Sequence, residues 1–187
     1  MTRMTLAERR QKLIAAALAV VARNGVAAAT TRAIAAEAGM PLASFHYAFE
    51  SHQALMTQAY TQLVSEELER ESKHPLQPGS ESEVVGQVLS AHLADLMERR
   101  SQHQAVFEMA DHLLRTGDQA QVPAQFRGER VQALAKRLAE AGVSEPEEAA
   151  EATVTVLEGL TQSLVTTGDE AAARRAIDYW SGMRAAC

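Results

Sequence analysis

The side chains between Thr30 and Phe49, TTRAIAAEAGMPLASFHYAF, are of the kinds that touch phosphates and base edges rather than the kinds that break bonds. Projected at about 100° per residue, a helix opening at Pro41 turns Phe45 and Phe49 inward and Ala43, Ser44 and Tyr47 outward, with His46 at the flank. Leu42 lies near the inner side. Small apolar groups on such a face can meet thymine methyls, and hydroxyls can meet base edges or phosphate oxygens. The spacing also suits two short helices crossing at a steep angle. Ala35 is small where the second helix would cross, Gly39 follows four residues later where the turn calls for positive φ, and Phe45 stands six beyond. Ile34, Ala38 and Met40 complete the inner surface. This is the pattern of a helix-turn-helix; an ordinary helical corner in an all-α core meets the same apolar requirements. Arg9, Arg10 and Lys12 crowd the start of the preceding helix, where positive charge opposes the helix dipole at about a few tenths of a kcal/mol each. Phosphate contact by Arg9 or Arg10 gives that cost a reason; a solvated surface explains it nearly as well.

Other chemistries leave less trace. The chain has no serine-histidine-aspartate setting with nucleophile-elbow glycines and no phosphate loop, so an enzyme is not expected. His92, His103 and His112 with Glu108 or Asp111 are the candidate metal ligands. Only Glu108 and His112 stand at i, i+4, no second pair has supporting spacing, and neither metal nor cofactor is expected. The lone cysteine, Cys187, excludes an intrachain disulfide. No apolar run reaches the roughly 18 residues of a membrane span, and Arg23 argues against a signal peptide, so a cytoplasmic protein with no membrane partner is expected. The net charge of −6 over 187 residues is unevenly spread. Residues 1–60 carry six Lys/Arg against three acids, a balance of +3, and residues 61–187 carry twelve against twenty-one, a balance of −9. A basic head on an acidic body lets one end approach phosphates.

The elements that must position these side chains are all helical. Alanine, leucine, glutamate and arginine dominate and no stretch sustains period-two alternation, so the expected fold is all-α with about nine helices. The first spans about residues 5–24, with Ile14, Ala17, Leu18 and Val21 on one face and Gly25 as its stop. Thr30 or Thr31 caps a short second helix, Pro41 opens a third, and Ser51 caps a long fourth of about residues 52–72. After the loop from His74 to Ser82, Ser80 and Glu83 form a capping box for a helix to about Arg100. Helices near 103–116 and 124–141 follow. Ser144 and Glu147 suggest another capping box, and Gly168 separates the last two helices, the second capped by Asp169. The change from basic to acidic places a domain boundary near residue 50. It separates a three-helix helix-turn-helix domain, 1–50, from a larger helical domain, 51–187, with the fourth helix bridging them.

The stretch TTRAIAAEAGMPLASFHYAFESHQAL resembles the DNA-binding domain of the tetracycline-repressor (TetR) family of transcriptional regulators over about residues 8–60. Thr31, Ile34, Ala35, Ala38, Gly39, Phe45, Phe49, Ser51 and Leu55 match its signature, and RRQKLIAAALAVVARNG resembles its first helix. Four positions depart from it. Pro41 replaces a capping serine, His46 a tyrosine, Ala48 a histidine or tyrosine, and His52 a lysine that in the family reaches phosphate. His46 and His52 add charge only when protonated. The resemblance implies a repressor that binds a near-palindromic double-stranded operator as a homodimer and is released by a small, largely apolar effector, with residues 51–187 as its helical ligand-binding and dimerisation domain. The DNA-contacting candidates are Arg9, Arg10, Thr30, Thr31, Arg32, Leu42, Ala43, Ser44, His46, Tyr47 and His52.

Two further groups follow from helical spacing. Thr153, Val156, Leu157, Leu160 and Leu164 form one stripe, and Ala173, Ala176, Ile177, Trp180 and Met183 another. Docked on a second copy as a four-helix bundle, they would form the dimer interface; facing inward, they would be this chain's own core. Leu89, His92, Leu93, Leu96, Met97, Phe107, Met109, His112, Leu113, Phe126, Leu134 and Thr161 are the candidate effector-pocket residues, with methionines suited to an adaptable apolar cavity. The alternative to a regulator is a helical protein-interaction module that uses the corner without sequence-specific DNA binding.

Overall fold

A computed structural model of the chain describes residues 4–116 and 119–184, with side chains described as far as Trp180. The described residues form nine α-helices and no strand: α1 (Leu6–Asn24), α2 (Thr31–Glu37), α3 (Leu42–Ala48), α4 (His52–Ser72), α5 (Glu81–Glu98), α6 (Arg100–Arg115), α7 (Gln121–Glu140), α8 (Pro146–Thr167) and α9 (Glu170–Arg184). A 3-10 turn, Val26–Ala28, links α1 to α2. None of these helices is long and apolar enough to cross a membrane.

The ends are set by local chemistry. Thr5 and Glu8 form a capping box at α1, and Ser80 and Glu83 form another at α5. Thr30 accepts from the Ala33 amide and Ser51 from the Ala54 amide. The Asp169 carboxylate accepts from the Ala172 amide at 2.9 Å. Gly168 closes α8 in the left-handed region at φ 71°. The capping pair expected from Ser144 and Glu147 does not form. Pro146 sits at the start of α8, Glu145 precedes it, and no side chain caps this end. Proline's fixed φ and missing N–H fit the first helical position, which starts the helix too late for that pair.

The chain divides into two compact units, Met1–Glu66 with Gln104–Ala124, and Glu67–His103 with Gln125–Cys187. Helices α4, α6 and α7 each contribute residues to both. The first unit is built on the buried faces of α1 to α3, including Leu13, Ile14, Ala17, Ile34, Ala35, Phe45 and Phe49. Leu55, Met56, Met109 and Leu113 are also fully buried in it. The second unit has one contiguous apolar cluster drawn from α5, α7, α8 and α9, among them Val84, Leu89, Leu96, Leu138, Val154, Leu157 and Ile177.

Candidate nucleic-acid interface and candidate effector cavity

α2 and α3 meet across Gly39, whose φ of 62° lies in the region glycine tolerates. The Met40 amide donates to the Ala35 carbonyl at 2.9 Å, closing the turn. Phe45, Ala48 and Phe49 are buried beneath α3, whereas Ala43, His46 and Tyr47 are exposed, Tyr47 by 69%. Leu42 and Ser44 are half-buried at the edge of the face. Pro41 precedes the helix with no side-chain cap, so the first amides of α3 keep no side-chain partner at that end. Thr30 and Arg32 are exposed and Thr31 is half-buried at the start of α2.

Two of the expected phosphate contacts have structural work within the unit. The Arg9 guanidinium donates to Ser44 Oγ at 2.8 Å and lies 5.5 Å from the Tyr47 ring centre. Arg10 Nε donates to the Ala48 carbonyl at 2.9 Å and lies 5.7 Å from the Phe49 ring centre. A cation at the last carbonyls of α3 also suits the negative end of its dipole. Both arginines therefore brace the outward face from α1. This role was invisible to spacing, because positions 9 and 44 are joined only by the fold.

His52 turns inward. Its Nε2 lies 2.6 Å from the Ala29 carbonyl, which can only accept, so that nitrogen carries the proton. The ring stands edge-on to His112 at 6.3 Å. Burial first, and His52 next, push the His112 imidazole below its usual value, while Asp111 acts in the opposite sense. Glu108 accepts the Val26 amide at 3.1 Å in the same open concavity, so His112 lines a wall of the first unit. Phe107, Met109 and Leu113 belong to the same unit.

The second unit holds a different cavity, bounded by the end of α4, one side of α5 and one side of α7. Its interior volume is about 40 Å³, and the empty space between its walls, counting the open side, is about 620 Å³. Leu68, Val88, Ala91, Ala133, Leu134 and Leu157 supply the apolar wall, and Arg70, Glu71, His92, Asp95, Arg130 and Arg137 the charged or polar one. Among the expected effector residues, His92 and Leu134 line this cavity. Thr161 bonds to His92, Leu89, Leu93 and Leu96 are in the apolar cluster, Met97 is exposed, and Phe126 is half-buried. The charged liners leave no signal in the apolar spacing of their helices, which marks only the inward faces.

These groups form a buried ionic network. Arg130 makes a two-pronged ion pair with Glu71 and lies 3.2 Å from Glu67. Burial pushes the Glu71 carboxyl up, and the Arg130 charge overrides it, leaving the group at about 2. Thr161 Oγ1 donates to the Leu157 carbonyl at 2.8 Å, so it accepts from His92 Nε2 at 2.7 Å. His92 is then a neutral imidazole with Nδ1 free to accept from Arg130 at 3.3 Å. Burial lowers its pKa, consistent with that state. Asp95 accepts from His103 and Arg99, both at 2.9 Å, and pairs with Arg70 at 3.3 Å. Glu67, Glu71 and His92 present ligand atoms within 4.8 Å of one another, as a metal site would. The Arg130 guanidinium already supplies positive charge to both carboxylates.

The stripes of α8 and α9 face largely inward. Thr153, Leu157, Leu160, Leu164, Ala173 and Ile177 are buried within the chain, and all but Thr153 belong to the apolar cluster of the second unit. Val156 and Ala176 pack partly against that cluster. Trp180 remains 39% exposed beside Ala152, Thr155 and Val156. The side chain of Met183 lies outside the described residues.

Comparison with known proteins gives a consistent picture. Residues 13–59 match the model for bacterial regulatory proteins, tetR family. The nicotine-responsive transcriptional repressor HdnoR of Paenarthrobacter nicotinovorans is 41% identical over 64 residues, 34% of this chain and 33% of that relative. The matched segment thus spans a third of the relative's length. The multidrug binding protein EbrR, solved with ethidium, aligns with a TM-score of 0.74 and 28% identity, covering 92% of this chain and 98% of that one. A tetR-family protein of Streptomyces coelicolor A3 aligns over the same shares with a TM-score of 0.71 and 29% identity. Residues 13–59 thus carry the segment that marks the tetR family of bacterial regulatory proteins, and the chain shares its all-helical fold with a solved member of that family.

Proposed function

We propose that the chain is a transcriptional repressor that binds an operator as a homodimer and releases it when a small effector occupies the cavity of the second unit. The observation that carries the reading is the outward face of α3. Tyr47 is 69% exposed with Ala43 and His46 beside it, and two arginines of α1 brace the helix at Ser44, Tyr47 and Ala48. A surface whose exposed groups are held by fixed supports is suited to recognition, since little side-chain freedom is lost on contact. Tyr47, His46, Ala43 and Ser44 read base edges or the adjacent backbone. Thr30, Thr31, Arg32 and Leu42 flank them, and Arg9 and Arg10 serve mainly as braces. His52, committed to Ala29, contributes less than its place in the family signature implies.

One helix of seven residues reads few base pairs, so two copies are needed on a near-palindromic site. The dimer surface centres on Trp180, with Val156 and Ala176 beside it, because the deeper residues of both stripes are already buried. One relative is nicotine-responsive and one solved neighbour holds ethidium; by likeness this chain answers to a small organic molecule. Such a protein works in the cytoplasm, where the DNA is.

The test is binding of the purified protein to the intergenic DNA upstream of its own gene, at two salt concentrations, with Tyr47→Ala in parallel. Sequence-specific binding that weakens steeply with salt and falls at least tenfold in the variant is expected. Specific binding that Tyr47→Ala leaves intact would remove α3 as the reading helix. Binding insensitive to salt would favour a protein partner.

A further inference from the structure

The sign of the effector's charge follows from which cavity group lacks an opposite charge. Glu71 has Arg130, and Asp95 has Arg70 and Arg99. Arg137 lines the same cavity, and none of the ion pairs found among the described residues includes it. Its one hydrogen bond runs from a terminal nitrogen to the His74 carbonyl at 2.8 Å. A guanidinium has five N–H donors in a planar fork shaped for a carboxylate, so most of its donors are unspent. Burial lowers its pKa, with Glu71 and Glu140 acting in the opposite sense from a distance, and Glu71 is already committed to Arg130. Beside it, Leu134 and Ala133 begin the apolar wall that continues to Val88 and Leu157. A partly buried cation at one end of an apolar cleft is matched by a molecule with an anionic head and an apolar body.

We propose that the effector is an amphipathic organic anion, most simply a carboxylate, held by a two-pronged contact to Arg137 with its apolar part against Val88, Ala133, Leu134 and Leu157. This rests on the reading of the cavity as the effector site, and it specifies the chemistry of that site. A cationic effector would have to displace Arg130 from Glu71 and Glu67, leaving Arg137 without a counter-charge.

The experiment measures binding to the free full-length chain by calorimetry. The probes are straight-chain carboxylates from hexanoate to decanoate, each with its matched alcohol and alkyltrimethylammonium, alongside 3-phenylpropionate with its alcohol and trimethylammonium counterparts. At least one carboxylate is expected to bind about tenfold or more tighter than its matched alcohol, with the cation weakest. Arg137→Gln should erase that preference, Arg137→Lys should restore part of it, and Arg137→Glu should reverse it toward the cation. Thermal unfolding of each variant confirms that it folds. A cation that outbinds its carboxylate, a carboxylate preference that survives Arg137→Gln, or no carboxylate preferred over its alcohol overturns the proposal. Release of bound DNA by the same probes is read separately. Carboxylate binding without DNA release would defeat the regulatory reading alone, and DNA release by a cation without carboxylate binding would defeat only the charge assignment.

Discussion

Glu71 sits in a buried network whose charges are mutually committed, and its contribution to stability depends on pH in a definite direction. The carboxyl is held at about 2 in the folded chain, against 4.5 for the free group. The unfolded chain therefore takes up the proton first as pH falls. The stabilisation is fully present above about 4.5 and is lost as the pH falls toward about 2. His92 acts in the same sense at higher pH, because a buried imidazole kept neutral loses ground once the unfolded chain can be protonated. Glu71→Gln is expected to lose about 3 kcal/mol at pH 7, since Arg130 then leans on Glu67 alone. The loss should narrow on acidification, as checked by urea unfolding at pH 7 and pH 4. An equal loss at both would mean that packing, not charge, is what Glu71 supplies. Little of this network was legible in the sequence: Glu67 and Glu71 stand four residues apart on α4, but no local spacing joins them to His92 on α5 or Arg130 on α7. The outward and inward faces of α3 were legible, because a helix of seven residues obeys its own periodicity.

Glycines at the element scale separate backbone strain from crowding. At Gly39 an added Cβ meets nothing within 4 Å, yet φ is 62°, so Gly39→Ala pays only for its conformation and should cost about 1–2 kcal/mol. Gly128 lies inside α7, again with open space around an added Cβ and no positive φ. Gly128→Ala should therefore stabilise by about 0.5–1 kcal/mol. Thermal unfolding of the two variants side by side is the check, and the same sign for both would refute the argument. Caps and stops at this scale were mostly readable, since Thr30, Ser51, Ser80 and Asp169 each act on the amide three positions away. The exception was Ser144, where Pro146 decided the start of α8.

At the scale of the whole molecule, what escaped the sequence was association over long distances. Residues 104–124 join the first compact unit, although they follow a helix that belongs to the second, and no pattern within the segment announces this. The inward stripes of α8 and α9 were ambiguous for the same reason: amphipathicity tells which face is buried but not by what. Trp180→Glu tests the remaining open surface. It is expected to convert a dimer to a monomer by sedimentation and to weaken operator binding at least a hundredfold, while a variant that stays dimeric would move the interface elsewhere. The cavity of the second unit is narrow. With an interior volume of about 40 Å³, the cavity as described would enclose only part of an amphipathic ligand, so on the proposed reading the effector would favour a wider form. If that form is populated about once in a hundred, every dose needed is about a hundredfold higher than the contacts alone require. Dose and identity are then tuned by different residues. On the proposed reading Arg137 would govern which molecule is accepted, whereas the ion pairs of Arg130 with Glu67 and Glu71, if they hold the narrow form, would set the threshold concentration, and weaker pairs would make the same switch answer to less.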